Sequence, residues 1–288
     1  MAFRAALREI KGHVLTASDP AVRWGIDRRW QSQRSRARSH GLERPLVVSL
    51  TSYPPRFATL ASTLKSLLAQ SVRADEIVLW IAHGDHAALP RDVLALREAG
   101  LRIALCEDVR SYKKFCHSFK EHPEAYVVTT DDDAYYWPTW LAELTAGLTR
   151  ANERAIPCFR THEIALHATG EVRPYGAWRQ NTPEEKAAPT LFPTGLGGVV
   201  YVPSLLHPDV LDIDAARRLA PSADDMWLYV MARRAGLQFR KVGRKVRFRN
   251  WNGSQASALY LENDAQGSAN DAQFAALIET YGRVWEIA

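Results

Sequence analysis

The chain is poor in cysteine, lacks any long apolar run and carries no glycine-rich phosphate loop. Three cysteines, Cys106, Cys116 and Cys158, occur in 288 residues, an odd number with no CxxC pair. Neither a disulfide framework nor a cysteine-based zinc site is suggested, and a reducing, cytoplasmic location is the expectation. The longest apolar stretches, such as VVYV at 199–202, fall far short of a bilayer span. Arg4, Arg8 and Lys11 interrupt any secretory-type segment near Met1. No Gly-x-Gly-x-x-Gly is present, so a dinucleotide-binding fold is not indicated. His83, His86, His117, His122, His162, His167 and His207 show no HExxH-like spacing and read as surface or packing residues. There is no internal repeat and no low-complexity tract.

Charge is unevenly spread. Residues 1–44 hold ten basic and four acidic side chains, whereas residues 45–288 hold 27 and 28. A neutral body argues against nucleic acid as a partner. In the basic leader, Phe3, Leu7, Ile10 and Val14 recur at helical spacing between Arg4, Arg8 and Lys11. Such a helix either lies on an anionic membrane surface or packs its apolar stripe on the main domain. Residues 28–44 read as a polar connector.

From Pro45 onward, strands alternate with helices. PLVVSL (45–50), EIVLWIA (76–82), LRIALC (101–106) and AYVVTT (125–130) read as buried strands. Helices are expected over 57–70, from Pro90 to Gly100, and over 112–122. This rhythm means βαβ units and a mostly parallel sheet covered on both faces. In the second half, 156–160 and 164–175 look like strands, the latter a hairpin turning at Thr169-Gly170, followed by a loop over 176–193. Ser222 is expected to cap a helix that ends at Gly236, with a strand pair around 238–249 and a last helix from Asn270. The expected organisation is a leader (1–44) and one continuous domain (45–288), divided into halves at 45–135 and 136–288. Trp137, Trp140, Trp178, Trp227 and Trp251 are either platforms for stacking a sugar or core residues, and each taken alone is expected in the core.

Asp131-Asp132-Asp133 directly follows the fourth strand. Ligands of open α/β sheets bind outside the carboxyl ends of strands, and three adjacent carboxylates need compensation. Mg²⁺ or Mn²⁺, with their preference for hard oxygen, would supply it while gripping a diphosphate. A second acidic pair, Asp224-Asp225, opens a helix, where it either complements the helix dipole or supplies a general base.

The segment VVTTDDDAYYWPTWLAEL resembles the DxD region of GT-A fold glycosyltransferases, of the family 2-like kind found in bacterial polysaccharide and lipopolysaccharide assembly. VVSLTSYPPR is similar to the first strand and nucleobase loop of that family. TGLGGVVYVP and ADDMWLYVMARRAG are similar to its acceptor-side strand and base-bearing helix. The resemblance covers roughly 45–236 and rests on the joint order of the four segments. It implies a GT-A-like, Rossmann-type mixed sheet flanked by helices, with a smaller acceptor-side sheet. It also implies a nucleotide-sugar donor, UDP-linked by preference, and a glycan or lipid-linked glycan acceptor.

By the same resemblance, Thr51, Tyr53 and Arg56 belong to the nucleotide loop, with the Tyr53 ring on the base. Asp85 would accept the uracil N–H, and Lys113 or Lys114 would lie near the nucleotide. Asp131 would contact ribose or metal, Asp133 would bind the metal directly, and Asp132 is counted with the nucleotide-binding residues. Asp225 would be the base of an inverting transfer, with Asp224 orienting acceptor hydroxyls. The absence of a histidine after His207 favours inversion over retention. Gly197 and Gly198 either leave room for a sugar or mark a bulge. A sugar nucleotidyltransferase would need a glycine-rich loop after the first strand, which TSYPPR does not offer. A carbohydrate-binding module holding Ca²⁺ would be expected as an all-β sandwich.

Overall fold

Strands buried on both faces read as unbroken apolar runs, and four such runs build the centre of this protein. They are β1 (Leu46–Thr51), β2 (Glu76–Ala82), β3 (Leu101–Cys106) and β4 (Tyr126–Thr129). β5 (Ala155–Cys158), β6 (Val199–Tyr201) and β7 (Gln238–Lys241) extend the sheet. In the computed structural model, which describes residues 19–30, 32–33, 36–243, 248–252, 254 and 269–287, the seven strands lie in the order β7-β5-β6-β4-β1-β2-β3. All pairings are parallel except those of β6, which runs antiparallel to β4 and β5. The mostly parallel sheet flanked by helices is the fold class expected from the sequence, and small two-stranded pairs stand beside it.

The two-residue period of the strands divides the core. Leu46, Val48 and Leu50 face one side with α1 (Phe57–Leu68) and α3 (Trp140–Leu144). Val47, Val78 and Val127 face the other, with α2 (Lys113–Glu121), α4 (Asp224–Arg234) and α5 (Ala269–Tyr281). Trp140, Trp178, Trp227 and Trp251 are buried in these layers, and Trp137 packs half-buried on Phe159 and Phe248. All three cysteines are buried and unpaired. Among the described residues no helix is long and apolar enough to cross a membrane.

Of the leader, Phe3, Leu7, Ile10 and Val14 lie outside the described residues. Residues 19–30 are helical and pack on the body through buried Ile26. Asp19 accepts hydrogen bonds from Arg249 Nε (3.1 Å) and Asn252 N (2.9 Å), tying this helix to residues near the C-terminal end. Arg44 pairs with Glu153 (2.8 Å) and Glu124 (2.7 Å) under β4.

Several local expectations are corrected. Residues 164–175 do turn back at Thr169-Gly170 as a hairpin, but its arms pair only at one antiparallel bridge, Leu166 with Val172, flanked by His167 N to Glu171 O and Arg173 N to Ala165 O, both 2.8 Å. The strand falls at Thr161–Glu163 and pairs with Leu191–Pro193, inside the stretch expected as loop. Ser222 does not cap α4: its backbone N–H donates to Gln273 Oε1 of α5, and Ala223 holds the cap position. The segments at 238–241 and 249–250 do not pair with each other. The first joins β5, and the second joins Ala134–Tyr135. Gly197 and Gly198 have φ of +99° and +95°, and their missing side chains leave room for Phe248 and Trp140, not for a sugar.

Sterics and φ are separable here. Gly198→Ala would put a Cβ 2.7 Å from the Trp140 ring in left-handed backbone, so it should cost about 2–5 kcal/mol. Gly147→Ala meets the same φ penalty with nothing within 4 Å, and should cost about 1–2 kcal/mol. Denaturant titration of both variants checks this, and equal losses would remove the packing role of Gly198.

Candidate active site

The triple aspartate leaves the sheet at the carboxyl end of β4, and three neighbours fix its backbone. The Tyr136 hydroxyl accepts from Asp131 N and donates to Asp131 O, both at 3.0 Å. Thr63 Oγ1 donates to Asp132 O (2.8 Å), and Trp251 N donates to Asp133 O (2.9 Å). The three carboxylates then part company. Asp132 turns inward, accepting from Ser52 Oγ and from Arg56 Nη1 (2.9 Å). Asp133 Oδ2 meets the same Arg56 nitrogen at 2.8 Å. Asp131 faces the opposite way, 3.5 Å from Lys114 Nζ. Burial raises the Asp132 pKa, with Arg56 and Ser52 opposing it.

Lys114 gathers the second acidic pair. Its helix, α2, is held to β1 by Ser49 Oγ, which donates to Lys114 O at 2.6 Å and contacts Ser118 Oγ at 2.8 Å. The buried ammonium lies 2.6 Å from Asp224 Oδ2 and 3.8 Å from Asp225 Oδ1. Burial works against its charge, yet Asp224, Asp131 and Asp225 outweigh it and hold the pKa well above the ordinary lysine value. Asp225 is the looser partner, with 31 % side-chain exposure against 8 % for Asp224. Gly195 N donates to Asp225 Oδ2 at 2.8 Å. Desolvation, with Asp224 and Asp131 adding and Lys114 opposing, pushes the Asp225 carboxyl up to about 7.

These groups line one cavity of about 810 Å³, within the range of pockets that take sizeable small molecules. Thr51, Tyr53, Arg56, Lys113, Lys114, Asp131, Asp132, Asp133, Asp224 and Asp225 are all in its wall. Asp85 is not in that wall; it sits in the turn His83–Ala88 beyond β2. The Thr51 hydroxyl is engaged by Trp80 O (2.8 Å), and Arg56 lies 5.9 Å from the Tyr53 ring centroid. Lys113 is buried against Asp108. Sequence reasoning missed Ser52, Arg110, Arg160, Thr194 and Gly195. A Cβ at Gly195 would meet Lys114 Nζ at 3.0 Å, Asp225 Oδ1 at 3.1 Å and Asp131 Oδ1 at 3.3 Å, so this glycine leaves room for the charge cluster.

Arg56 and Lys114 thus supply part of the compensation that the sequence assigned to a metal alone. Among the described residues no three carboxylate, histidine or cysteine side chains converge as a ready metal cage. The donor set still suits a hard cation held as Mg²⁺ commonly is, by one or two carboxylates with the remaining oxygens from substrate phosphates and water. Asp131 is the most open of the three carboxylates, whereas Asp132 and Asp133 are both engaged by Arg56.

No protein-family model matches the chain, and no curated protein matches it. Among solved structures, 4-diphosphocytidyl-2C-methyl-D-erythritol synthase is similar over 77% of this chain and 98% of its own, at 14% identity and a TM-score of 0.44. Glucosyl-3-phosphoglycerate synthase from Mycobacterium tuberculosis, in complex with Mn²⁺, UDP and glucosyl-3-phosphoglycerate, is similar over 83% of this chain and 81% of its own, at 15% identity and a TM-score of 0.45. With Mn²⁺, UDP and phosphoglyceric acid, the same enzyme covers 85% and 80%, at 14% identity and a TM-score of 0.43.

The shifted Asp225 carboxyl has a pH consequence. Its folded pKa, about 7, lies above the ordinary 3.8. Its contribution to stability is therefore present at acid pH and lost as pH rises through about 7. Asp225→Asn removes that titration. Its melting temperature relative to wild type should be several degrees more favourable at pH 8 than at pH 5, and a pH-independent difference would show that Asp225 is not shifted.

Proposed function

We propose that this protein is a metal-dependent, GT-A-like glycosyltransferase that moves a sugar from a nucleotide-diphosphate donor to a hydroxyl of a glycan or lipid-linked glycan. The observation that carries the proposal is the meeting, across Lys114, of the β4 carboxylates and the α4 carboxylates in one cavity. The first set suits a cation and diphosphate, the second a proton transfer, and glycosyl transfer needs both within one substrate length.

In this reading Tyr53 and Thr51 flank the nucleobase, and Arg110 and Lys113 border the phosphates. Asp131 and Asp133 would hold Mn²⁺ or Mg²⁺, which neutralises charge on the departing diphosphate. Asp225 takes the proton of the acceptor hydroxyl. The hydroxyl oxygen bonds to the anomeric carbon, and the bond from that carbon to the diphosphate oxygen breaks on the opposite face, leaving with its electron pair. The configuration therefore inverts. Gly195 N–H orients Asp225, and Asp224 acts as a positioning residue through Lys114. A nucleotidyltransferase is less well supported, because the loop after β1 has no glycine and its Arg56 is engaged by Asp132 and Asp133. Acceptors at the inner face of the cytoplasmic membrane would suit the basic leader, whose Trp24 is 63% exposed and carries Arg28 on its ring.

Two measurements test the assignment. UDP should raise the melting temperature of the wild type only with Mn²⁺ or Mg²⁺ present, and Asp133→Ala should abolish that shift; an unchanged shift in the variant removes the metal role. Asp225→Asn should lower the transfer rate by about 10²–10⁴ with donor affinity unchanged. Transfer at the wild-type rate would remove the base, and a product of retained configuration would replace inversion with a retaining mechanism.

A further inference from the structure

Most charges in the cavity wall are matched by one another. Asp132 and Asp133 share Arg56, the other three catalytic-side carboxylates surround Lys114, and Asp108 pairs with Lys113. Two cations, Arg110 and Arg160, make no ion pair among the described residues. Arg110 is exposed, whereas Arg160 is recessed. The Arg160 Nη1 lies 3.5 Å from Thr194 Oγ1, and among the described residues no carboxylate is paired with it. Burial lowers its pKa, but a guanidinium keeps its charge at neutral pH. Asp225 and Asp131 act on it only from beyond ion-pair distance, so the recessed guanidinium has one long hydrogen bond, to Thr194, and N–H groups to spare, which is costly. Other buried arginines are paired or well bonded: Arg44 has Glu153 and Glu124, Arg249 has Asp19, and Arg233, without a carboxylate, donates to the carbonyls of Leu237 and Ile287.

The position of Arg160 tells which substrate it faces. It follows β5, which lies two strands beyond β4 on the side away from β1, β2 and β3. Thr51, Tyr53, Arg110 and Lys113 follow β1 and β3, on the other side of Asp131. Thr194 N donates to Arg160 O at 3.0 Å, and the next residue, Gly195, holds Asp225. Arg160 therefore belongs to the side of the cavity that carries the base. Its wall is aromatic: Tyr175 lies 5.8 Å from His162 and 6.4 Å from Phe192, centroid to centroid. His162 accepts from Asn181 N at 3.0 Å and is pushed down to about 4 by burial and Arg160, so it adds no charge at neutral pH.

We propose that the acceptor is anionic, carrying a carboxylate or phosphate that Arg160 and Thr194 hold beside Asp225. The proposal rests on the transferase reading above and adds the chemical class of the acceptor. A planar guanidinium suits either anion through paired hydrogen bonds.

The test is calorimetry on the full-length protein saturated with UDP and Mn²⁺, with glucuronate, glucose 6-phosphate and glucose as probes. At least one anionic probe should bind about tenfold or more tightly than glucose, and the choice between them separates carboxylate from phosphate. Arg160→Gln should erase that preference while leaving UDP affinity within about twofold. Arg160→Lys, which keeps the charge but not the fork, should lose part of it and carries the test if the glutamine variant does not fold. Glucose binding as tightly as both anions overturns the proposal, as does a preference that survives in Arg160→Gln. Weakened UDP binding in the variants would assign Arg160 to the donor instead. Failure of the wild type to bind UDP with Mn²⁺ would remove the transferase reading itself, and the acceptor class with it.

Discussion

One buried ammonium, that of Lys114, ties the acidic segment after β4 to the start of α4. Lys114 stands on α2, after β3, yet its partners come from β4 and from α4, more than a hundred residues later in the chain. Three carboxylates within reach of one cation would be unstable alone. Together they hold the lysine charged, and it holds them close enough to share a cavity. Breaking such a cluster by removing one member leaves the rest buried and uncompensated, at a cost of about 3–5 kcal/mol. The geometry of the site and the stability of the fold thus depend on the same contact.

Arg56 has the matching role on the other side of the triple aspartate. The two cations pull adjacent residues in different directions: Asp132 and Asp133 toward α1, Asp131 toward α2. Residues 132 and 133 lie in a turn after β4, so no pleat dictates where the side chains go, and the two cations fix their directions. Asp131 is left as the carboxylate with the least firm partner, and it is the one that shares Lys114 with Asp225.

How much of this could be read from the sequence varied with the range of the interactions. β2 and β3 match the expected boundaries residue for residue, because an apolar run bounded by turn residues is a local signal. The position of the triple aspartate was legible for the same reason. The pairing of Thr161–Glu163 with Leu191–Pro193 was not, since short strands across a long connection leave no periodic trace. Ser222 looked like a cap because serine before acids usually is one; a glutamine 51 residues away took its hydrogen bonds. Arg160 and Gly195 carry no local signal at all. One matters for the partner it lacks among the described residues, the other for the space it leaves.

The contact of Asp19 with Arg249 and Asn252 makes the composition boundary near residue 44 differ from the mechanical one. Trp251, between those two partners, donates its backbone N–H to Asp133 O and its indole N–H to Thr63, which in turn holds Asp132 O. The N-terminal helix is therefore a guy-rope on the peptide that carries the proposed metal ligands. By reciprocity, a surface that grips residues 19–30 differently in the donor-bound and donor-free states must alter donor affinity by the same factor that the donor alters its grip.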